Sequence, residues 1–396
     1  MGKFHKIYLA GDIVKPEEKL GINKILYNLI RFYVLFMPAY MLIVKLAAWP
    51  SITYWKEAAY IICFIFGFIY LIRDKYILMY ICLILCTLFL EIFRVHPYFE
   101  YFTWLIMGLP LALYFKYIRV KDYNFDCFII GIIIISALIW TQFFEKSGKY
   151  AYTFVSENAV YSYMRDSLVR LRYFFVSPMA LSQYCWFGLL VIFTNQHLNK
   201  AFKFLCIASS FIVIFTCNTR AGVLLVIFSV CILIYSKLIK KTRTWHIIFI
   251  SASLITILFV QIFVSIQKGK NANASESDMM RIAAISSGIE NSAKNITFGI
   301  GGELFSTRSK KVMIFENSYL PFINSFGIIG VLLIAFFLYL FIFKTIDKKI
   351  ILFSIPWFSY SFVFPAFQEI TAVIISWFII AMILNDQRVN KLLNCN

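Results

Sequence analysis

Charge is scarce in this sequence, and acidic charge most of all: Asp and Glu number 20 in 396 residues, against 38 Lys and Arg. Charged residues make up 15% of the chain, where soluble domains carry about 25%. Apolar and aromatic residues supply 61%, and mean hydropathy is +0.79. That composition excludes a soluble globule. The 9 Cys include no CxxC pair and fall mostly inside apolar runs (Cys63, Cys82, Cys86, Cys127, Cys185, Cys206, Cys231), so neither a disulfide framework nor a zinc site is indicated. They read as small core hydrophobes. The net charge of +18 has no stripe or tail to itself, because the basic residues are spaced between apolar runs, and nucleic acid is not an expected partner.

What the chain has in quantity is long apolar runs. Spans of about 20 residues leave room for about a dozen membrane helices. Hydropathy places them near residues 25–48, 57–72, 76–93, 98–118, 126–144, 174–194, 201–216, 221–236, 246–266, 319–343, 350–364 and 368–384. The expected fold is all-α and polytopic, with about 12 transmembrane helices and two long outer loops. Residues 1–24 are polar and read as a cytoplasmic tail with no cleavable signal; 385–396 read as a second. Helices one to five fill 25–144, six to nine 174–266, and ten to twelve 319–384. With the N-terminus inside, the short inner loops collect Arg73/Lys75, Lys116/Arg119/Lys121, Lys200/Lys203, Lys237/Lys240/Lys241/Arg243 and Lys344/Lys348/Lys349. The short outer loops offer Lys56, Arg94 and Arg220.

The two long outer segments, 145–173 and 267–318, are basic as well. The first carries Lys146, Lys149, Arg165, Arg170 and Arg172; the second carries Lys268, Lys270, Arg281, Lys294, Arg308, Lys310 and Lys311. Long loops are exempt from the orientation rule, so an anionic ligand or plain solvated charge is needed to explain them. In the second loop Met279, Ile282, Ile285 and Ile289 recur at helical spacing, which predicts an amphipathic surface helix over 277–292. The turn Gly299-Ile300-Gly301-Gly302 follows. It reads either as a plain turn, the commoner outcome, or as a backbone cradle for phosphate, and without a following Lys-Ser/Thr it is no P-loop. Two matches to the glycosylation acceptor pattern, at Asn273 and Asn295, carry little weight.

Three positions stand out chemically. Arg220 opens an apolar run, which puts a guanidinium at the outer mouth of a helix as a ligand contact or a snorkelling anchor. Arg281 lies in the surface helix, where a lipid headgroup is an alternative partner. Glu316 just precedes the tenth span, where an acid also favours the helix dipole. His197, His246 and His5 are cytoplasmic by this topology, so no Ser/His/Asp or Cys/His arrangement can be built outside. The outer face offers only Asp166, Asp278, scattered Glu and His96 to a metal, so metal dependence and other cofactors are not expected.

Read together, these pieces resemble the O-antigen polymerase (Wzy) family within the O-antigen ligase and polymerase group of envelope glycosyltransferases. Thr219-Arg220-Ala221-Gly222 resembles the family's Thr-Arg-small step opening a span. Met280-Arg281-Ile282 resembles the Arg early in its large periplasmic loop, and Gly299-Ile300-Gly301-Gly302-Glu303-Leu304-Phe305 its Gly-x-Gly turn. Glu316-Asn317-Ser318-Tyr319-Leu320 followed by Gly327-Ile328-Ile329-Gly330 has the spacing of its His-Asn element and Gly-x-x-Gly. The likeness covers roughly residues 174–345.

The resemblance implies a GT-C-like architecture in a bacterial inner membrane, with both termini cytoplasmic and the long loops periplasmic. It implies a polyprenyl-diphosphate-linked glycan as substrate, membrane lipid as surroundings, and a chain-length regulator as partner. Arg220 and Arg281 would hold the diphosphate, Arg308 and Arg172 would support them, and Glu316 would be the base. Ligases carry His where this chain has Glu316, which favours polymerase. A ligase, or a lipid-linked oligosaccharide flippase, is the alternative; a flippase would concentrate charge at mid-bilayer, whereas here only Arg31 and Lys45 lie mid-span.

Overall fold

The computed structural model describes residues 22–36, 55–113, 120–146, 164–165, 168–169, 171–175, 177–217, 219–238, 272–305, 317–345, 347–361, 367 and 369–394. Most of the first long segment, the run 246–266, Arg308 and Glu316 lie outside them. The described chain is a helical membrane protein. Its one sheet among these residues is a two-residue pair, β1 (Met164–Arg165) against β2 (Leu168–Val169). Three helical stretches are long and apolar enough to cross a membrane, Lys75–Ile92, Tyr123–Glu145 and Ile370–Gln387, and shorter apolar helices accompany them. The Cα framework divides into two compact units.

The first unit takes residues 1–68, 109–229 and 370–396. It contains α1 (Ile22–Phe36), most of α2 (Trp55–Leu71), α5 (Val120–Trp140), α6 (Pro178–Thr194), α7 (Lys200–Thr216), the start of α8 (Arg220–Leu238), and α13 (Ile370–Asn394). Local chemistry sets the starts. Ser177 caps α6 with Oγ accepting from Ala180 N, ahead of Pro178 in the first turn, and Asn199 caps α7. Helix α6 is buried almost all round, with Trp186 Nε1 donating to Ser229 Oγ at 2.8 Å and Phe187 meeting Phe378 of α13 edge-on. In α13, 83% of the apolar window is buried, against 33% in the other two candidate spans, so α13 is an interior helix.

The mid-span Arg31 is paired: its Nε donates to Asp126 Oδ1 on α5, and its guanidinium lies 4.8 Å from the Phe125 ring. A charge that meets its counter-ion inside the unit needs no water at that depth.

The second unit takes residues 69–108 and 230–369. It contains α3 (Lys75–Ile92, capped by Asp74), α4 (Glu100–Met107), α9 (Ala272–Lys294), α10 (Tyr319–Phe326), α11 (Ile328–Leu338) and α12 (Lys348–Tyr360, capped by Asp347). The run 319–343, read from hydropathy as one span, is two helices. The chain reverses at Gly327, and a Cβ on Gly330 would strike the Phe322 carbonyl eight residues upstream, which in a continuous helix would be about 12 Å away. Gly327 holds φ 59° and ψ −129°, a conformation open to glycine alone, and a Cβ there would lie 2.6 Å from Gly299 N and 2.7 Å from Ile296 O. Asn317 Oδ1 caps α10, accepting from Tyr319 N and Leu320 N at 2.8 Å each, while Ser318 N donates to Ser361 O.

The reversal is therefore steric as well as conformational. Gly327→Ala is expected to lose about 1–3 kcal/mol from backbone strain alone, with more from the close backbone approach. Thermal unfolding of the detergent-solubilised protein checks it: a midpoint equal to wild type would mean that this turn is not held as described.

Candidate functional site

In the first unit, the sequence step around Arg220 has a local explanation. Thr219, itself buried, donates from Oγ1 to Ser182 Oγ on α6 at 2.9 Å. Gly222, one turn into α8, lies so close to α6 that a Cβ would sit 2.7 Å from Ser182 Cβ. A tether and a side-chain-free contact fix the first turn of α8 on α6, and Arg220 is the first residue of that turn. The Arg220 side chain lies outside the described part.

The same end of the unit gathers the terminal turns of α5 and α7, where Gln142 Nε2 donates to Thr216 Oγ1 at 3.1 Å. A π-helical turn, Thr141–Glu145, ends α5 and turns Glu145 inward. Its Oε2 accepts from Arg172 N at 2.9 Å, and the charges of Glu145 and Arg172 attract. Tyr173 follows with φ 52° and shares a 2.9 Å hydrogen bond with Ser136 Oγ. Arg172 thus stands in the same terminal layer of the unit as Arg220, its backbone amide bonded to a carboxylate.

In the second unit, Arg281 sits within α9, which runs over 272–294 and so extends the surface helix expected at 277–292; the Arg281 side chain is outside the described part. The C-terminal turn of α9 is exposed and polar. Lys294 Nζ bonds Glu290 Oε1 at 2.6 Å and holds that carboxyl below the usual carboxylate range.

The Gly-rich turn that follows is not a phosphate cradle. Gly299 N donates to Asn295 O, Ile300 N to Asn324 O, Gly301 N to Ser325 O and Gly302 N to Glu91 Oε2, so its amides are engaged within the unit. The carbonyl side is taken as well. Arg94 Nη2 donates to Phe298 O at 2.7 Å and to Gly299 O at 3.3 Å, and reaches Ser325 O at 3.5 Å. Arg94 Nε lies 3.1 Å from Glu91 Oε2, and Glu91 Oε1 accepts from Tyr98 N. Buried Tyr101 floors the joint, packing under Gly302 and against Phe326.

Sequence reasoning left Glu91 out and counted Arg94 only as a loop charge. Their i,i+3 spacing at the end of an apolar run was the available signal. The partners on Phe298, Gly299, Gly302 and Ser325 are more than 200 residues away in sequence and left none.

Residues 204–335 match the family model Wzy_C, described as O-antigen ligase. None of the curated proteins compared matches the chain. The matched segment holds Arg220, Arg281, the Gly turn and the hairpin at Gly327. It supports the O-antigen ligase and polymerase group and a glycosyltransferase-like role in surface polysaccharide assembly, and it does not separate polymerase from ligase.

The Glu91–Arg94 joint gives a direct test. Arg94→Ala leaves the Glu91 carboxylate buried without its counter-ion and is expected to cost about 3 kcal/mol. Combining Arg94→Ala with Glu91→Leu should destabilise by less than the sum of the single changes, measured as a double-mutant cycle of unfolding midpoints; strict additivity would dissolve the pair.

Proposed function

We propose that this protein polymerises polyprenyl-diphosphate-linked oligosaccharide repeat units at the periplasmic face of a bacterial inner membrane, without a metal, to make O-antigen or a similar surface polysaccharide. The observation that carries this reading is an arginine, Arg220, as the first residue of an apolar helix inside the matched segment, on a turn held by the Thr219 tether and the Gly222 contact. A diphosphate needs such cations. Arg binds its oxygens through a planar fork and keeps its charge at any working pH.

In the reaction, the bond between the donor's anomeric carbon and the phosphate oxygen breaks. The bond from an acceptor sugar hydroxyl to that carbon forms, the hydroxyl proton passes to Glu316, and polyprenyl diphosphate leaves. Arg220 and Arg281 would neutralise the charge that grows on the diphosphate, where electrostatic stabilisation is worth most. Arg172, facing Glu145, is better suited to supporting this than to leading it, and Arg308 is a further supporting cation. Glu316 would take the proton, its role as base resting on its place beside the Asn317 cap. The outer position of these groups, both termini in the cytoplasm, and a chain-length regulator as partner belong to the same proposal.

The ligase reading is kept by the name of the matched family model. Glu316 in the place of a ligase's His favours the polymerase.

Arg220→Ala and Arg281→Ala are expected to abolish polymer while protein levels stay near wild type. Chain-length ladders on gels check this, and normal ladders from both variants would remove the assignment. Glu316→Gln should accumulate lipid-linked single repeats. Their presence in the outer leaflet supports polymerase; accumulation in the inner leaflet would point to a flippase, and single-chain polymer left unattached to its acceptor would point to a ligase.

A further inference from the structure

The joint at Arg94 belongs by sequence to segments read as extramembrane, yet its outer surface is apolar. Phe93 and Val95, on either side of Arg94, are 73% and 89% exposed, and Phe298 is 64% exposed. Ile296, Ile300 and Ile328 are exposed beside them. These residues are contiguous. Arg94 bonds the Phe298 carbonyl, Ile328 N donates to Thr297 O, and Ile296 O lies against Gly327.

The patch also continues an existing apolar face. Phe93 meets Phe89 edge-on with ring centroids 4.8 Å apart, and Phe89, Ile92, Leu85, Met79 and Leu78 are exposed large hydrophobics of α3, one of the helices able to cross the membrane.

Two features distinguish this tip from an ordinary surface loop. The charge at its centre is consumed internally, with Arg94 spread over Glu91 and three carbonyls, while the exposed His96 and Glu100 lie beyond Val95. The amides of Gly299, Ile300, Gly301 and Gly302 are satisfied within the unit. Irregular backbone survives in hydrocarbon only when its polar groups are bonded within the protein, and this turn meets that condition. The polar boundary is close by: Glu290 and Lys294, six and two residues before Ile296, are about two-thirds exposed.

We infer that the Gly299–Gly302 joint and the residues flanking Arg94 are immersed in the membrane, with lipid acyl chains as the occupant of the Phe93–Val95–Phe298–Ile300 patch. The second long segment then leaves the water at about residue 295, well before α10. The inference is independent of the reaction proposed above, and either can fail alone.

The test is labelling by a membrane-impermeant maleimide in phospholipid nanodiscs holding one chain each, read at the engineered peptide by mass spectrometry so that the native cysteines do not interfere. Phe298→Cys and Val95→Cys are expected to react at least about ten times more slowly than Glu290→Cys, because hydrocarbon excludes the reagent and suppresses the thiolate. Labelling at the Glu290→Cys rate would overturn the inference. Protection seen in native membranes but lost in single-chain discs would also overturn it, assigning the cover to a second copy of the chain. Unfolding midpoints equal to wild type confirm that the variants are folded when labelled.

Discussion

One buried carboxylate and one guanidinium organise the second unit. Glu91 accepts from two backbone amides, Tyr98 N and Gly302 N, and meets Arg94; Arg94 in turn gathers carbonyls from the Gly turn and from the end of α10. The end of α3 and the residues just before α4 are joined by these few bonds to residues 298–302 and residue 325, more than 200 positions along the chain. With few acidic residues in the whole chain, a carboxylate placed at a site of low exposure carries a large desolvation cost. It is offset here by two backbone hydrogen bonds and the pairing with Arg94. The facing of Gly299 and Gly327, with their left-handed backbones, follows from how closely this arrangement draws the two turns together.

The first unit solves a different problem with neutral groups. A hydroxyl-to-hydroxyl bond from Thr219 to Ser182 and the missing side chain of Gly222 bring α8 onto α6. The ion pair of Arg31 with Asp126 sits apart from that contact. The first turn of α8, which Arg220 opens, is therefore held by neutral packing.

Much of the helical plan was legible because hydrophobic runs of membrane length leave few alternatives. The helices α3, α5, α6, α7, α12 and α13 lie where the runs do, and α9 follows its periodicity. What was not legible is what depends on distant partners. Hydropathy cannot see a reversal inside the apolar run 319–343, although Gly327, Gly330 and the polar pair Asn324-Ser325 interrupt it. The Gly turn read as a plain turn first and an anion cradle second, and its amides, bonded to Asn295, Asn324, Ser325 and Glu91, agree with the plain turn. Arg220 was legible as a helix-opening cation from its place before an apolar run, whereas the partners that fix its turn, Ser182 and Gly222, became visible only through packing. Arg308 and Glu316 belong to residues outside those described, so their roles rest on resemblance and position.

The order of segments along the chain has a consequence for how the protein is made. Helix α13, the most enclosed of the long apolar helices, packs on α6 and on the 3-10 turn Leu109–Leu113 of the first unit, yet nearly two hundred residues separate it from α6. During synthesis the helices of the first unit up to residue 229 must enter the membrane with their centre unfilled and wait through the insertion of residues 230–369 of the second unit. Their apolar interior is exposed to lipid for that interval, which is tolerable in hydrocarbon and would be an aggregation hazard in water. The first unit is therefore completed late, by a helix synthesised after residues 230–369 of the second.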